Sequence, residues 1–248
     1  MDGAWTVAGD HLRRNRCRLI EGAGTSLGNE IDLLDQYPKS PRTGKVGERA
    51  VHVTAEQREI SRQFGEQYFD GDRMYGYGGY NYHPRFWQGV VRRIRDYYQL
   101  PDTASLLDVG CAKGFMLHDF KELMPNLTIA GLDISEYAIE HAMETVRPFV
   151  QVGNAKDLPY QDNSFDLVTA INTVHNLPLE QCKQALREIQ RVSRKHSFVQ
   201  LDAYRTQEEK ERLERWVLTC KTYMHVDEWK EIFSEIGYTG DYYWFIAE

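Results

Sequence analysis

Two alternating patterns of apolar residues fill the second half of the chain. From Ser105 onward, short apolar runs of strand length are separated by segments whose apolar residues recur every three or four positions, as in amphipathic helices. This alternation is typical of an open, mostly parallel sheet with helices on both faces, which is an α/β fold. The predicted strands are 106–109, 127–132, 149–152, 167–171, 197–201 and 238–246, and the predicted helices are 114–124, 135–147, 179–194, 206–216 and 227–236.

The residues at the ends of these segments support the helix assignments. Ser135 is placed to cap the second helix, and Thr206 with Glu209 forms a capping box on the fourth. Gly237 stands where the last helix should stop. The run 216–223 is ambiguous, because it fits either a helix end or a short strand.

The first hundred residues show a different organisation. Residues 1–50 keep no periodicity, which predicts an extended or partly disordered arm. Residues 51–100 predict a helical extension, with one helix over 54–69 capped by Thr54 and another over 84–99. Between them lies a segment of tyrosines and glycines, 74–83, which is either a lid over a site or a packed core loop. A surface that stacks RNA bases is the third alternative, which the nearby Asp70 and Asp72 and the acidic net charge oppose.

Composition limits the class of protein. A chain of 248 residues can hold one α/β domain with additions, here expected over 101–248. The formal net charge of −7 argues against a nucleic-acid groove, and the basic run at 13–18 fits a solvated arm better than a binding motif. The four cysteines lie far apart, which predicts a reducing compartment and no metal site. The absence of a long apolar run or signal peptide predicts a cytoplasmic protein without a membrane segment.

The turn after the first predicted strand carries the clearest chemical signal. The stretch from Leu106 to Phe115 reads LLDVGCAKGF, and a second apolar run ends in Asp133, placed to bind a ribose diol. A dinucleotide site needs G-x-G-x-x-G, but the third glycine position is Phe115, which would crowd a pyrophosphate. The pattern G-x-A-x-G favours a cofactor that has no phosphates.

This turn resembles motif I of the class I S-adenosylmethionine (SAM)-dependent methyltransferases, in a small-molecule, type 11-like form, with Ala112 in place of the usual middle glycine. The resemblance covers about residues 100–248 and includes the segments 153–160 and 162–166. It implies the Rossmann-like fold of that family, with SAM as cofactor.

The resemblance also implies a cofactor-binding set. The methionine end would be held by Asp108 and the turn residues Gly110, Cys111, Ala112 and Gly114, and the ribose by Asp133. The adenine would be flanked by Ile134 and Leu158, and its edge would be bound by Asn154 with Ala155. The supporting loop would be held by Asn172. Asn154 stands where small-molecule methyltransferases commonly have an acid, and its carbonyl oxygen can accept the same hydrogen bond.

Candidate catalytic residues come from two other places. His175 follows the fourth predicted strand, where it is either a general base or a histidine that holds its loop. Tyr80 and His83 of the tyrosine-rich segment are candidates to contact an acceptor. Asp202, after the fifth strand, would grip a substrate or merely cap a turn. The aromatic tail 238–244 fits the sheet edge or a homodimer contact.

The predicted function is methyl transfer from SAM to the oxygen or nitrogen of a small molecule, with a sugar or sugar-linked metabolite as the acceptor class. The alternatives are a methyltransferase acting on RNA or protein through the basic arm, a non-catalytic SAM-binding module, and a nicotinamide-dependent Rossmann enzyme. The missing third glycine opposes the last of these.

Overall fold

The computed structural model of the chain describes residues 27–38 and 53–247. Within them, one sheet is built from Ser105–Val109 (β1), Thr128–Asp133 (β2), Val150–Val152 (β3), Phe165–Ile171 (β4), Ser193–Tyr204 (β5), Met224–His225 (β6) and Asp241–Phe245 (β7). The α-helices are Ala55–Ser61 (α1), Glu66–Phe69 (α2), Pro84–Tyr98 (α3), Phe115–Leu123 (α4), Glu136–Glu140 (α5), Leu179–Val192 (α6), Gln207–Trp216 (α7) and Val226–Ile236 (α8).

The strands run in the order β3-β2-β1-β4-β5, and each neighbouring pair is parallel. The far edge of β5 pairs with β7 over Phe198–Asp202 and with β6 over its last two residues, again in parallel. The predicted α/β class with a mostly parallel sheet is confirmed. The strand order reverses between β1 and β4, so a crevice for ligands lies beyond the carboxyl ends of these two strands.

Most predicted elements are present, but two helices differ. The helix predicted over 54–69 is divided, because Phe64 adopts a left-handed φ of 51° between α1 and α2. The helix predicted over 135–147 is wrong beyond Glu140, since the amide of Met143 instead donates to the carbonyl of Lys113 at 3.0 Å. Tertiary contact with the turn after β1 therefore replaces the second half of that helix.

The caps agree with the sequence. Thr54 and Thr206 each form a capping box, and the Ser135 hydroxyl accepts from the amide of Ala138. Gly237 ends α8 in the left-handed conformation, with a φ of 71°. The ambiguous run 216–223 begins with the last residue of α7, Trp216, and the rest of it is irregular chain that leads to β6. The strand β6 was not predicted from the sequence.

Part of the predicted N-terminal arm belongs to the core. The amide of Ile31 donates to the carbonyl of Tyr242 at 2.9 Å, and the amide of Tyr242 donates to Asn29, so this segment pairs with β7. Leu33 is fully buried against α3 and the sheet. The remainder of the arm, with the basic run 13–18, lies outside the described residues.

None of the helices in the described ranges, 27–38 and 53–247, has the length and apolar content needed to cross a membrane.

Replacing Leu33 with Ala tests whether this segment is part of the folded core. We expect the free energy of unfolding to fall by about 2–5 kcal/mol, because a fully buried leucine leaves a cavity. Urea denaturation measures it. Asp35→Ala is the control, since its ion pair with Arg93 is exposed and should change stability by less than about 1 kcal/mol. Equal small effects of both variants would contradict the assignment.

Candidate active site

The turn after β1 is tightly fixed in shape. Gly110, Ala112 and Gly114 all have positive φ, at 84°, 49° and 75°. A Cβ at Gly110 would lie 2.1 Å from the Oγ1 of Thr173, so only glycine lets the turn approach the loop after β4. Ala112 tolerates the left-handed conformation that a middle glycine would adopt more readily.

Asp133, at the end of β2, holds this turn in place. Its Oδ2 accepts a hydrogen bond from the amide of Ala112 at 2.7 Å, and its Oδ1 accepts one from the amide of Ser135 at 2.9 Å. The side chain is almost buried, and burial raises its pKa while the backbone amides oppose the rise. One carboxylate therefore connects the turns that follow β1 and β2.

Asp108, at the end of β1, is a second buried acid. Burial raises its pKa to about 7, a hydrogen bond from the hydroxyl of Thr169 at 2.9 Å opposes the rise, and the nearby charge of Asp133 adds to it. Asp108 thus changes charge near neutral pH, which is unusual for a carboxylic acid.

A cavity of about 180 Å³ lies in the crevice at the carboxyl ends of the strands. Its lining includes seven of the predicted cofactor-binding residues: Gly110, Ala112, Asp133, Ile134, Asn154, Ala155 and Asn172. The other four, Asp108, Cys111, Gly114 and Leu158, are not among its lining residues. Cys111 and Leu158 are buried in the core.

The N-terminal extension covers this cavity with aromatic side chains. Phe64, Tyr68, Phe69 and Tyr77 line it, opposite the residues at the strand ends. We define residues 62–82 as the lid. The lid interpretation of the tyrosine-rich segment is therefore compatible with the observed packing, while the sequence did not indicate which aromatic rings face the cavity.

Tyr80 and His83, the two acceptor-contacting candidates, do not line the cavity. The Tyr80 ring stacks on Phe115 with centroids 4.8 Å apart. His83 is exposed and caps α3, since its Nδ1 accepts from the amide of Arg85 at 3.2 Å. Their catalytic roles stay predictions.

His175 is buried just behind the loop that lines the cavity. Its Nδ1 accepts from the backbone amide of Asp202 at 3.0 Å, and its Nε2 lies 3.7 Å from the Oδ1 of Asp202. Burial lowers its pKa, although Asp202 opposes this, so the ring is neutral at pH 7. Its carbonyl accepts the amides of Lys221 and Thr222, which joins the loop after β4 to the segment before β6.

Cys220 completes a cluster with these two residues. The possible ligand atoms of His175, Asp202 and Cys220 lie within 4.8 Å of one another. The spacing of the cysteines gave no indication of this group, because its members come from three segments. Within the cluster the thiol of Cys220 also lies within hydrogen-bonding distance of the carbonyls of His175 and Thr222. These contacts fit a role in positioning the loop.

Several cavity residues were not predicted from the sequence. Besides the lid aromatics and the strand-end residues Val109, Leu132, Gly153 and Ile171, they are Thr173, Asn176, Leu177 and Lys221. Thr173, Asn176 and Leu177 follow the predicted fourth strand, so their position after a strand end was the available signal. Lys221 lies in the irregular run before β6 and carried no such signal.

Known proteins share the central part of this chain. Residues 107–201 match the family described as "Methyltransferase domain". The chain is 38% identical over 101 residues to a demethylmenaquinone methyltransferase of Lactiplantibacillus plantarum, covering 38% of this chain and 42% of that protein. It is 31% identical over 132 residues to a tRNA (carboxymethyluridine(34)-5-O)-methyltransferase of Arabidopsis thaliana, covering 52% of this chain and 31% of that protein. It is 35% identical over 94 residues to the nocamycin O-methyltransferase of Saccharothrix syringae, covering 34% of this chain and 33% of that protein.

Residues 107–201 therefore belong to a SAM-dependent methyltransferase domain, as the turn after β1 indicated. The matched regions span less than half the length of each of these three relatives. SAM is the cofactor of this family. The residues present fit it, because an acid at the end of β2 and an amide at Asn154 share one cavity with a turn that admits close backbone approach.

Substitution of Asp133 should remove cofactor binding. For Asp133→Ala we expect the affinity for S-adenosylhomocysteine to fall by roughly 100-fold or more, because charge-assisted hydrogen bonds to the ribose and to two backbone amides are lost. Isothermal titration calorimetry measures it. Asp102→Ala, an exposed acid before β1, is the control. Unchanged affinity in Asp133→Ala would refute the ribose assignment.

Asp108 should make cofactor binding depend on pH. If its carboxylate receives the ammonium group of the cofactor, affinity rises between pH 6 and pH 8, because the group ionises through a pKa of about 7. The expected gain is about tenfold for a single ionisation. Calorimetry at a series of pH values measures it, and Asp108→Asn should bind more weakly with a flat profile. A wild-type profile retained in Asp108→Asn would assign the dependence to another group.

Proposed function

We propose that this chain transfers the methyl group of SAM to a small-molecule acceptor, with a hydroxylated compound such as a sugar or sugar-linked metabolite as the leading class. One observation carries the proposal. A single cavity is lined by seven of the predicted cofactor residues together with lid aromatics and the loop after β4. A cofactor held by the first group would therefore lie next to side chains that can contact an acceptor.

The lining at the acceptor end favours a neutral or anionic compound. Asn176 has a buried Oδ1 with no hydrogen-bond partner among the described residues, so it can accept from a hydroxyl. Lys221 makes no ion pair within the described part of the chain. The one acid of the lining, Asp133, is already bound to two backbone amides. Because the remaining acceptor sites of Asp133 are assigned to the cofactor ribose, the lining offers an ammonium acceptor no further carboxylate.

When bound, SAM supplies a methyl group on a positively charged sulfur. The protein's contribution is to align the acceptor and exclude water, which can provide roughly 7–11 kcal/mol without a strong base. Tyr68 is suited to orient an acceptor, because it lines the cavity and a tyrosine hydroxyl, with an ordinary pKa of about 10, keeps its proton at neutral pH. It therefore remains a hydrogen-bond donor near neutral pH.

His175 supports this arrangement from behind the cavity. Because it is neutral and buried, its contacts with Asp202 and with the backbone before β6 fix the loop that carries Asn172, Thr173 and Asn176. We propose that His175 positions this loop. If His175 were a general base instead, turnover would depend on the ionisation of its ring.

The acceptor class is tested by incubating the protein with SAM and matched acceptor sets. Hydroxylated sugars, hydroxy acids, their amine analogues and transfer RNA are compared by mass detection of an added methyl group and by release of S-adenosylhomocysteine. Methylation of sugars or hydroxy acids supports the proposal. Methylation confined to transfer RNA or to amines would overturn it.

Tyr68→Phe tests the acceptor side of the cavity. With an acceptor found in that comparison, we expect turnover to fall by about tenfold or more, because one oriented hydrogen bond is lost. Affinity for S-adenosylhomocysteine should stay within about twofold of wild type. Tyr75→Phe, a lid tyrosine outside the lining, is the control. A loss shared equally by both variants would contradict a specific role.

A further inference from the structure

An ion pair between a buried lysine and a partly exposed aspartate joins the lid to the turn after β1. Lys113 lies in that turn, between Ala112 and Gly114, and its side chain is 8% exposed. Its Nζ donates to both carboxylate oxygens of Asp70, at 2.9 and 2.7 Å, and to the carbonyl of Tyr80 at 3.0 Å. An ammonium group has three donors, so all of its hydrogen-bonding capacity is used by the lid.

Asp70 is equally committed on the other side. Besides Lys113, its Oδ1 accepts from the amide of Tyr80 at 2.9 Å and its Oδ2 accepts from the hydroxyl of Tyr137 at 2.7 Å. Burial raises the pKa of Asp70, but the hydrogen bonds from Lys113, Tyr137 and Tyr80 outweigh this effect, so the pKa is lowered. The carboxylate therefore stays charged and connects two parts of the lid with the turns after β1 and β2.

The lid itself is built to keep this shape. The amide of Tyr77 donates to the carbonyl of Tyr68 at 2.9 Å, and a Cβ at Gly76 would lie 2.0 Å from that carbonyl, so glycine is required. Arg73 donates to the carbonyls of Gly76 and Tyr77. Tyr68 and Tyr77, which line the cavity, are thus bonded to each other within the same segment that carries Asp70.

A second contact, between two uncharged groups, also binds the lid to a turn at the end of a strand. The hydroxyl of Ser135 donates to the carbonyl of Phe64 at 2.5 Å. Ser135 is also the residue whose amide binds Asp133, so the start of the lid is bound next to the predicted ribose site.

We propose that the Lys113–Asp70 pair is a latch that fixes the lid over the cofactor, so that its opening sets how fast the cofactor leaves. Lys113 and Asp70 are then positioning residues of the site. The inference rests on the proposed function for the identity of the cofactor. Its physical basis is that opening the lid breaks all three hydrogen bonds of the buried Lys113 ammonium group. This costs free energy unless water molecules replace those bonds at the same time. Lids that open in this way often limit ligand release.

The test compares Lys113→Met, Asp70→Asn and the double variant, with S-adenosylhomocysteine as the probe. We expect its dissociation rate, measured by stopped-flow fluorescence, to increase about tenfold or more in each single variant, as expected for lost charge-assisted bonds. Hydrogen–deuterium exchange of lid amides, residues 66–80, should accelerate in the same variants. The double variant should resemble the single ones, because both changes remove one interaction.

Lys183→Met is the matched control. Lys183 also donates to both oxygens of a carboxylate, Glu235, at 3.0 and 2.9 Å, and its side chain is 12% exposed, but it joins α6 to α8. It should leave both measurements unchanged. Dissociation rates equal to wild type in Lys113→Met and Asp70→Asn would overturn the latch, even if lid exchange accelerates. Additive effects in the double variant would also overturn it, whereas a wild-type protein that fails to bind the probe would refute the proposed cofactor site instead.

Discussion

The arrangement of this site depends on one buried carboxylate. Asp133 accepts the amide of Ala112 on one oxygen and the amide of Ser135 on the other, which fixes the turns after β1 and β2 relative to each other. Parallel strands deliver both turns to the same edge of the sheet, so a single acid can reach them. With the turns fixed, Gly110 approaches Thr173 so closely that the loop after β4 becomes the third wall of the same cavity.

The lid depends on the same two turns. Lys113 belongs to the first and Ser135 to the second, and each holds a different part of the lid. The groups that would contact a cofactor and the groups that would cover an acceptor are therefore connected by a few bonds. Asp70 and Phe64 are the lid residues through which these bonds connect the two turns to the aromatic side chains of the lining.

A group of buried polar side chains lies outside the cavity lining and contacts the loops around it. His175 and Asp202 satisfy each other and the backbone before β6, and Cys220 lies against the same backbone. Because an unpaired buried polar group costs free energy, such a cluster rigidifies the loops it bridges. Thr173 and Asn176 of the lining lie on either side of His175 in the same loop.

The chain by itself determined the α/β class, most strands and helices, and the acids at the ends of β1 and β2. These features are local, since the period of apolar residues and the capping residues act within one element. Contacts between distant segments decided the rest. The helix after Ser135 stops at Glu140 because Met143 bonds to Lys113, and Leu33 is buried because its segment pairs with β7. Among many tyrosines, only the packing of the lid selects Tyr68 and Tyr77 for the cavity and directs Tyr80 onto Phe115. Side-chain direction in an irregular segment is set by its partners in space, so it cannot be read from the local pattern of residues along the chain.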